Sequence, residues 1–207
     1  MRKNKSVRIP KQTRSVEKRG RIIRTAQRLF SMKGIHGTTS NEIASKAKVS
    51  IGTFYSYFKD KNELLREVLH EFLNKFSENI YNGYNDFATG STSDIRSSIR
   101  VLLVNTFKAF EDEPEFHRQM FALKYSDPGI KMIFDEVERN EINFIQALLL
   151  SNSVRIKIND IEEASKLIHS TIENAGHSIK LLNYSLEEER MIDELTDMIY
   201  KYISYTP

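Results

Sequence analysis

"SIGTFYSYF", Ser50 to Phe58, decides how this chain is read. Four aromatic residues stand beside a glycine and three small hydroxyl residues, and by propensity and alternation the stretch resembles a strand. Its surroundings overrule that impression. Ser50 is a residue that caps helix starts, and the preceding "NEIASKAKV" repeats Ile43, Ala44 and Ala47 at i, i+1, i+4 behind its own capping residue, Thr39 or Ser40. A capped start, a short helix before it and a three- or four-residue turn leave no room for a strand partner. A short helix is expected, docked on two others. Phe54 and Phe58, four apart, share its buried face, and Ile51, Thr53, Tyr55 and Tyr57 lie nearer solvent.

The pattern on either side is helical too. From Val16, the residues Ile22, Ile23, Ala26, Leu29 and Phe30 fall on one face, and Gly34 supplies a C-terminal cap before "GIHGTTS". After "KDKNELL" a long amphipathic helix is expected, with Leu64, Leu65, Val68, Leu69, Phe72, Leu73 and Phe76 as its apolar stripe, running on toward Ile80 and Tyr84. "TGSTSD" breaks it. Helical pattern then resumes, with interruptions near Glu111–Pro114, Ser126–Gly129, Ser151–Asp160 and Asn183–Ser185. No Val/Ile-rich alternation bounded by hairpin turns occurs, so the fold class expected is all-α.

Composition sets the partners. A chain of 207 residues buries a full core without staples, and the absence of cysteine removes disulfides and thiolate metal sites. No run reaches the roughly 18 apolar residues of a membrane span, so a soluble, cytoplasmic protein with no membrane contact is expected. The net charge of +3 conceals a polarised chain. Met1 to Lys61 holds 16 Lys or Arg against three acids, a balance of +13; the remainder holds 15 basic and 25 acidic residues, a balance of −10. A basic end favours a polyanion such as nucleic acid. Residues 1–15, with six basic residues and no acid, read as a flexible arm able to lie along phosphates or in a minor groove.

Three short helices inside a basic region make a helix-turn-helix DNA reader. Its third helix must enter a major groove roughly 12 Å wide, which a slim start at Gly52 and Thr53 permits. Tyr55 and Tyr57 can reach phosphate or a thymine methyl, and Lys48 and Lys61 flank the helix to neutralise phosphates.

Over Glu17 to Phe76, "FSMKGIHGTTSNEIASKAKVSIGTFYSYFKDKNELLREVL" resembles the DNA-binding region of the tetracycline-repressor (TetR) family of bacterial regulators. The likeness rests on the Gly-x-x-x-Thr-Thr entry, an Ile-Ala pair, a Val-Ser turn, Gly-Thr-Phe-Tyr, then Tyr-Phe-Lys-x-Lys and Leu-Leu. Where many members carry His, this chain has Tyr57. The resemblance implies a DNA-binding domain at 16–61 and a helical ligand-binding and dimerisation domain at 62–207, joined by the long helix from 62. It implies that Thr39 and Ser40 touch phosphate, that Lys48, Ser50, Ile51, Gly52, Thr53, Tyr55 and Tyr57 form the DNA-facing surface, and that Lys61 meets backbone phosphate. It further implies a homodimer on double-stranded operator DNA, a repressor released by a small apolar or amphipathic inducer. The alternative is a constitutive dimeric DNA-binding protein with no small-molecule ligand.

For the C-terminal part, two seams are expected to pair with a second copy: Leu167, Ile168, Thr171, Ile172, Ala175, Gly176 and Ile179, and Met191, Ile192, Leu195, Met198, Ile199, Tyr202 and Ile203. An inducer pocket is expected among the helices of 93–150 beside that of 161–182, with Asn105, His117, Tyr125, Asn143 and Asn174 as its polar contacts, alongside Arg118. Five histidines show no H-x-x-x-H spacing, and no G-x-S-x-G, Walker A or G-x-G-x-x-G occurs. No metal, no cofactor and no enzymatic activity are expected.

Overall fold

The computed structural model describes residues 13–81, 95–151, 157–182 and 187–204. Among the described residues the regular elements are nine α-helices and one π-helical turn. They run α1 (Thr13–Lys33), α2 (Ser40–Lys46), α3 (Ile51–Tyr57), α4 (Lys61–Tyr81), α5 (Ile95–Ala109), α6 (Pro114–Leu123), α7 (Pro128–Ser151), α8 (Ile161–Gly176), the turn His177–Leu181, and α9 (Glu188–Ile203). The all-α expectation holds. The expected breaks at "TGSTSD" and Asn183–Ser185, Tyr84, and the arm residues Arg2, Lys3, Lys5, Arg8 and Lys11 lie outside the described residues. No described helix is long and apolar enough to cross a membrane.

Two compact units emerge: Met1–Phe72 with Arg118–Ile133, and Leu73–His117 with Phe134–Pro207. This partition differs from a division at Lys61, because the first turns of α4 pack with the N-terminal helices and a later segment joins them. Arg19 of α1 meets Glu67 at 2.7 Å, and the Gln119 amide donates to the Ser31 carbonyl at 3.0 Å.

In the first unit each helix end has a local cause. α1 starts three residues earlier than its apolar pattern, and Gly34 stops it at φ +70, where a side chain is strained. The Thr39 side chain accepts the Glu42 N–H to cap α2, and Ser50 does the same for Thr53 on α3. Between them, Val49 N–H bonds Ala44 O and Lys48 N–H bonds Ser45 O, the paired bonds of a Schellman turn. Lys48 occupies its left-handed position at φ 54, usually given to glycine. Ile22, Ala26 and Phe30 of α1, Ile43 of α2, Phe54 of α3 and Phe58 just past its end, and Leu64 and Leu69 of α4 are fully buried. Burying each large side chain contributes about 1.5–3 kcal/mol.

In the second unit, Leu103 and Phe107 of α5 pack with Ile168 and Ile172 of α8 and with Ile192, Leu195, Ile199 and Ile203 of α9. Arg96 bonds Asp197 at 2.8 Å and Arg100 bonds Asp193 at 3.0 Å, setting the register of α5 on α9. Gly176 lies where an added Cβ would come within 2.4 Å of the Phe110 ring, so only glycine fits. The helix widens into its π turn from the next residue.

Candidate nucleic-acid interface and aromatic cavity

The surface of α3 is built on two buried rings. Phe54 and Phe58 lie with centroids 5.9 Å apart, both sealed from solvent, and the Arg19 guanidinium stands 5.3 Å from the Phe58 ring. With that face fixed, Ile51, Gly52, Tyr55 and Ser56 are exposed and Thr53 is half-exposed; Tyr55 leaves 54% of its surface open. Thr53 is held by Ser50, whose Oγ lies 2.9 Å from the Thr53 hydroxyl and accepts its N–H at 3.1 Å. Around Gly52 there is room. A Cβ added there meets nothing nearer than Ser50 Oγ at 3.9 Å, so packing does not demand glycine. A glycine inside a helix costs roughly 0.5–1 kcal/mol relative to alanine, and no packing contact offsets it here. Lys48, Thr39 and Ser50 flank this face; Thr39 and Ser50 are exposed, and Ser40 is half-buried.

Two expected contact residues are corrected. Tyr57 is only 7% exposed, and its hydroxyl lies 2.7 Å from Ser15 Oγ on α1. It belongs to the inner face because it falls three residues after Phe54, on the same side of a 3.6-residue turn. Lys61 does not present its charge outward either. Its ammonium donates to the carbonyls of Ile35 (2.5 Å) and Thr38 (2.8 Å), satisfying backbone acceptors in the α1–α2 connection.

One cavity of the second unit has a volume of about 50 Å³. Its described lining comes from α4 (Phe76, Ile80, Tyr81), α5 and the residue just past it (Leu102, Thr106, Phe110), α7 (Glu141, Phe144, Ile145) and α8 (His169, Ile172, Glu173). The expected helices thus frame it, but the five expected polar contacts do not. Tyr125 is 77% exposed, Asn143 lies off the lining, and Asn174 is exposed with its amide donating to Ser170 O at 2.7 Å. Asn105 is half-buried off the lining. His117 is buried behind the wall, stacked on Phe110 at 5.1 Å and 5.6 Å from the His177 ring. Burial first, and then the His177 charge, pull its pKa down to about 3, so it is a neutral packing ring.

Four ionisable residues that do line the cavity escape sequence reading. Glu141 accepts from Ser77 Oγ at 2.9 Å and pairs with His169 Nε2 at 2.9 Å. Burial opposes protonation of His169, yet the Glu141 hydrogen bond and the charges of Glu141, Glu173 and Glu138 outweigh it and raise its pKa. The Tyr81 hydroxyl is buried and makes no hydrogen bond among the described residues. Burial, then the Glu141 charge, push its pKa far up, keeping it a neutral phenol. Glu173 completes the set. The available signal is His169 and Glu173 four apart on α8, flanking Ile172 on an apolar seam. Among the described residues, no group of three or more His, Cys, Asp or Glu could hold a metal.

A capped short helix with an open outer face, set after a tight turn in a basic bundle, defines the helix-turn-helix class. Residues 22–68 match the family described as "Bacterial regulatory proteins, tetR family". The chain is 33% identical over 100 residues to YerO, an uncharacterised HTH-type transcriptional regulator of Bacillus subtilis strain 168, covering 48% of this chain and 34% of that protein. The chain therefore spans about a third of that relative's length. The fold matches a crystal structure from Mesorhizobium loti MAFF303099 assigned to TetR-family transcriptional regulators, with TM-score 0.75 and 20% identity, covering 94% of this chain and 100% of that one. It also matches a regulator from Saccharomonospora viridis solved in complex with choline, with TM-score 0.73 and 19% identity, covering 92% and 100%.

Proposed function

We propose that this chain is a ligand-responsive, DNA-binding transcriptional repressor acting in the cytoplasm as a homodimer. Each copy would lay α3 in a major groove, the two grooves about one helical turn (~34 Å) apart on a near-palindromic operator. The observation that carries this reading is the outer face of α3. Ile51, Gly52, Thr53 and Tyr55 stand open while Phe54 and Phe58 lock the helix in place, and Gly52 is left bare where the fold has room for a side chain. A bare helix start lets a backbone approach another molecule closely. Thr39, Ser40, Lys48 and Ser50 border that face and are the phosphate-contact candidates.

Dimerisation is supported by apolar surface on the last helices. Ile168 and Ile172 turn inward from α8, and Ile192, Leu195 and Ile199 turn inward from α9, whereas Leu167, Met198 and Tyr202 remain exposed. Each helix would keep one line for its own core and one for a partner copy.

Release would run through α4. It is one uninterrupted helix of 21 residues, about 30 Å long, whose last turns supply Phe76, Ile80 and Tyr81 to the cavity. A ligand that moves those turns has a lever on the Lys61 end. Driving a nearly complete switch requires about 5.5 kcal/mol of preference for the released state. The buried Tyr81 hydroxyl, without a hydrogen bond among the described residues, favours this reading over a constitutive DNA-binding protein, and the Saccharomonospora regulator of the same fold holds a small molecule, choline.

The test is operator binding by Gly52→Ala. It should fold with equal or slightly greater stability and bind operator at least about tenfold more weakly, the equivalent of roughly 1.4 kcal/mol. Unchanged DNA affinity in a folded Gly52→Ala dimer would remove α3 from the groove.

A further inference from the structure

The aromatic cavity has a charge character that its volume alone does not convey. Four aromatic rings, Phe76, Tyr81, Phe110 and Phe144, stand among its described walls, and no Lys or Arg does. Tyr81 and Phe144 lie with ring centroids 4.1 Å apart, and Phe76 and Phe110 meet edge to face at 4.9 Å. Two carboxylates, Glu141 and Glu173, share the lining with one histidine, His169. Even with His169 protonated, negative groups outnumber positive ones. An anionic ligand would enter against that charge, with no basic Lys or Arg among the described walls to receive it.

We propose that the cavity recognises a small organic ammonium ion, held by the faces of its aromatic rings and by the carboxylate of Glu173. This rests on the ligand-responsive reading and specifies its ligand class. Ring faces carry the negative end of the aromatic quadrupole, and an alkylammonium is soft enough to leave water for them. Glu141 accepts from Ser77 and pairs with His169, and its charge adds to the negative wall. The Tyr81 hydroxyl can accept an N–H of the ligand or donate to a ligand oxygen, which would end its lack of a partner. The volume fits a compact head. About 50 Å³ corresponds to roughly four water positions, the size of a methylated ammonium group rather than a long chain.

The experiment is calorimetric titration of the full chain with three probes of similar shape: tetramethylammonium, neutral tert-butanol and anionic pivalate. Tetramethylammonium should bind saturably, at least about tenfold more tightly than tert-butanol, with no measurable binding of pivalate. Glu173→Gln, checked for folding by circular dichroism, should remove most of the cation's advantage and leave tert-butanol unchanged. Ring signals of Tyr81 should shift on cation binding, and Tyr81→Phe should identify them by their loss. Equal binding of the cation and the alcohol, stronger binding of pivalate, no binding of tetramethylammonium at millimolar concentration, or an unchanged cation affinity in folded Glu173→Gln would each overturn the proposal. Tighter binding of pivalate or tert-butanol than of tetramethylammonium, with operator binding weakened, would overturn the cation alone and leave a ligand-responsive regulator standing.

Discussion

The α3 face and the aromatic cavity are assembled in opposite ways. Every candidate contact of the first lies between Thr39 and Ser56, placed by two side-chain caps and one tight turn. The second draws its walls from Phe76 to Glu173, on four helices that meet only after folding. The first also gives up stability for exposure, with a glycine that packing does not require and a lysine in a left-handed turn. The second leaves a buried phenol without a hydrogen bond among the described residues. Local spacing governs one; tertiary packing governs the other.

The largest expected effect separates the two faces of α3. Phe54→Ala should cost about 3–5 kcal/mol in denaturant unfolding, because a fully buried ring leaves a void. Tyr55→Ala should stay within about 0.5 kcal/mol of wild type while weakening operator binding by roughly 1–3 kcal/mol in fluorescence anisotropy. Comparable destabilisation by both would dissolve the distinction between an anchored and a presented face.

The next effect belongs to the second unit and to pH. His117 has a folded-state pKa of about 3, below the ordinary 6.5, so the unfolded chain binds its proton first as pH falls. Its contribution is whole above pH 6.5 and declines below it, by at most about 1.4 kcal/mol per pH unit. His169 has the opposite sign: its raised pKa stabilises the fold fully below its ordinary value, and that gain is lost as pH rises through the folded pKa. His117→Phe should therefore flatten the loss of stability between about pH 6.5 and 5 in urea titrations. An unchanged slope would place the titrating group elsewhere.

Smaller effects sharpen the account of the turn and of Tyr57. Lys48→Gly should stabilise the fold by about 1 kcal/mol by relieving the left-handed backbone, yet lower the salt slope of DNA binding by about one unit. Tyr57→Phe should lose about 0.5–1.5 kcal/mol with the Ser15 hydrogen bond and leave operator affinity intact. A large affinity loss in Tyr57→Phe would return that hydroxyl to the DNA surface.

Much of the fold is legible in the sequence because its signals are local. Gly34 closes α1, Ser50 opens α3, and Pro114 and Pro128 stand at the first positions of α6 and α7. The apolar stripe of α4 is buried from Leu64 to Ile80. Sequence pattern misplaces Tyr57 because a tyrosine on a seven-residue helix fits either face until the neighbouring helix is present. It misplaces Lys61 because the partners, Ile35 O and Thr38 O, are backbone atoms that carry no sequence signature. The cavity residues are hidden for a related reason. The Glu141–His169 pair joins positions far apart in the chain, and Asn143 and Asn174 look equally suitable by type.

The central claim is that two copies of this chain present α3 to successive major grooves. Selection of binding sites from random duplex DNA by the full chain tests it directly. Enrichment of a near-palindrome whose half-sites lie about one helical turn apart, lost on Gly52→Ala, is the result expected. Enrichment of a lone half-site, or no enrichment by a folded chain, would contradict it.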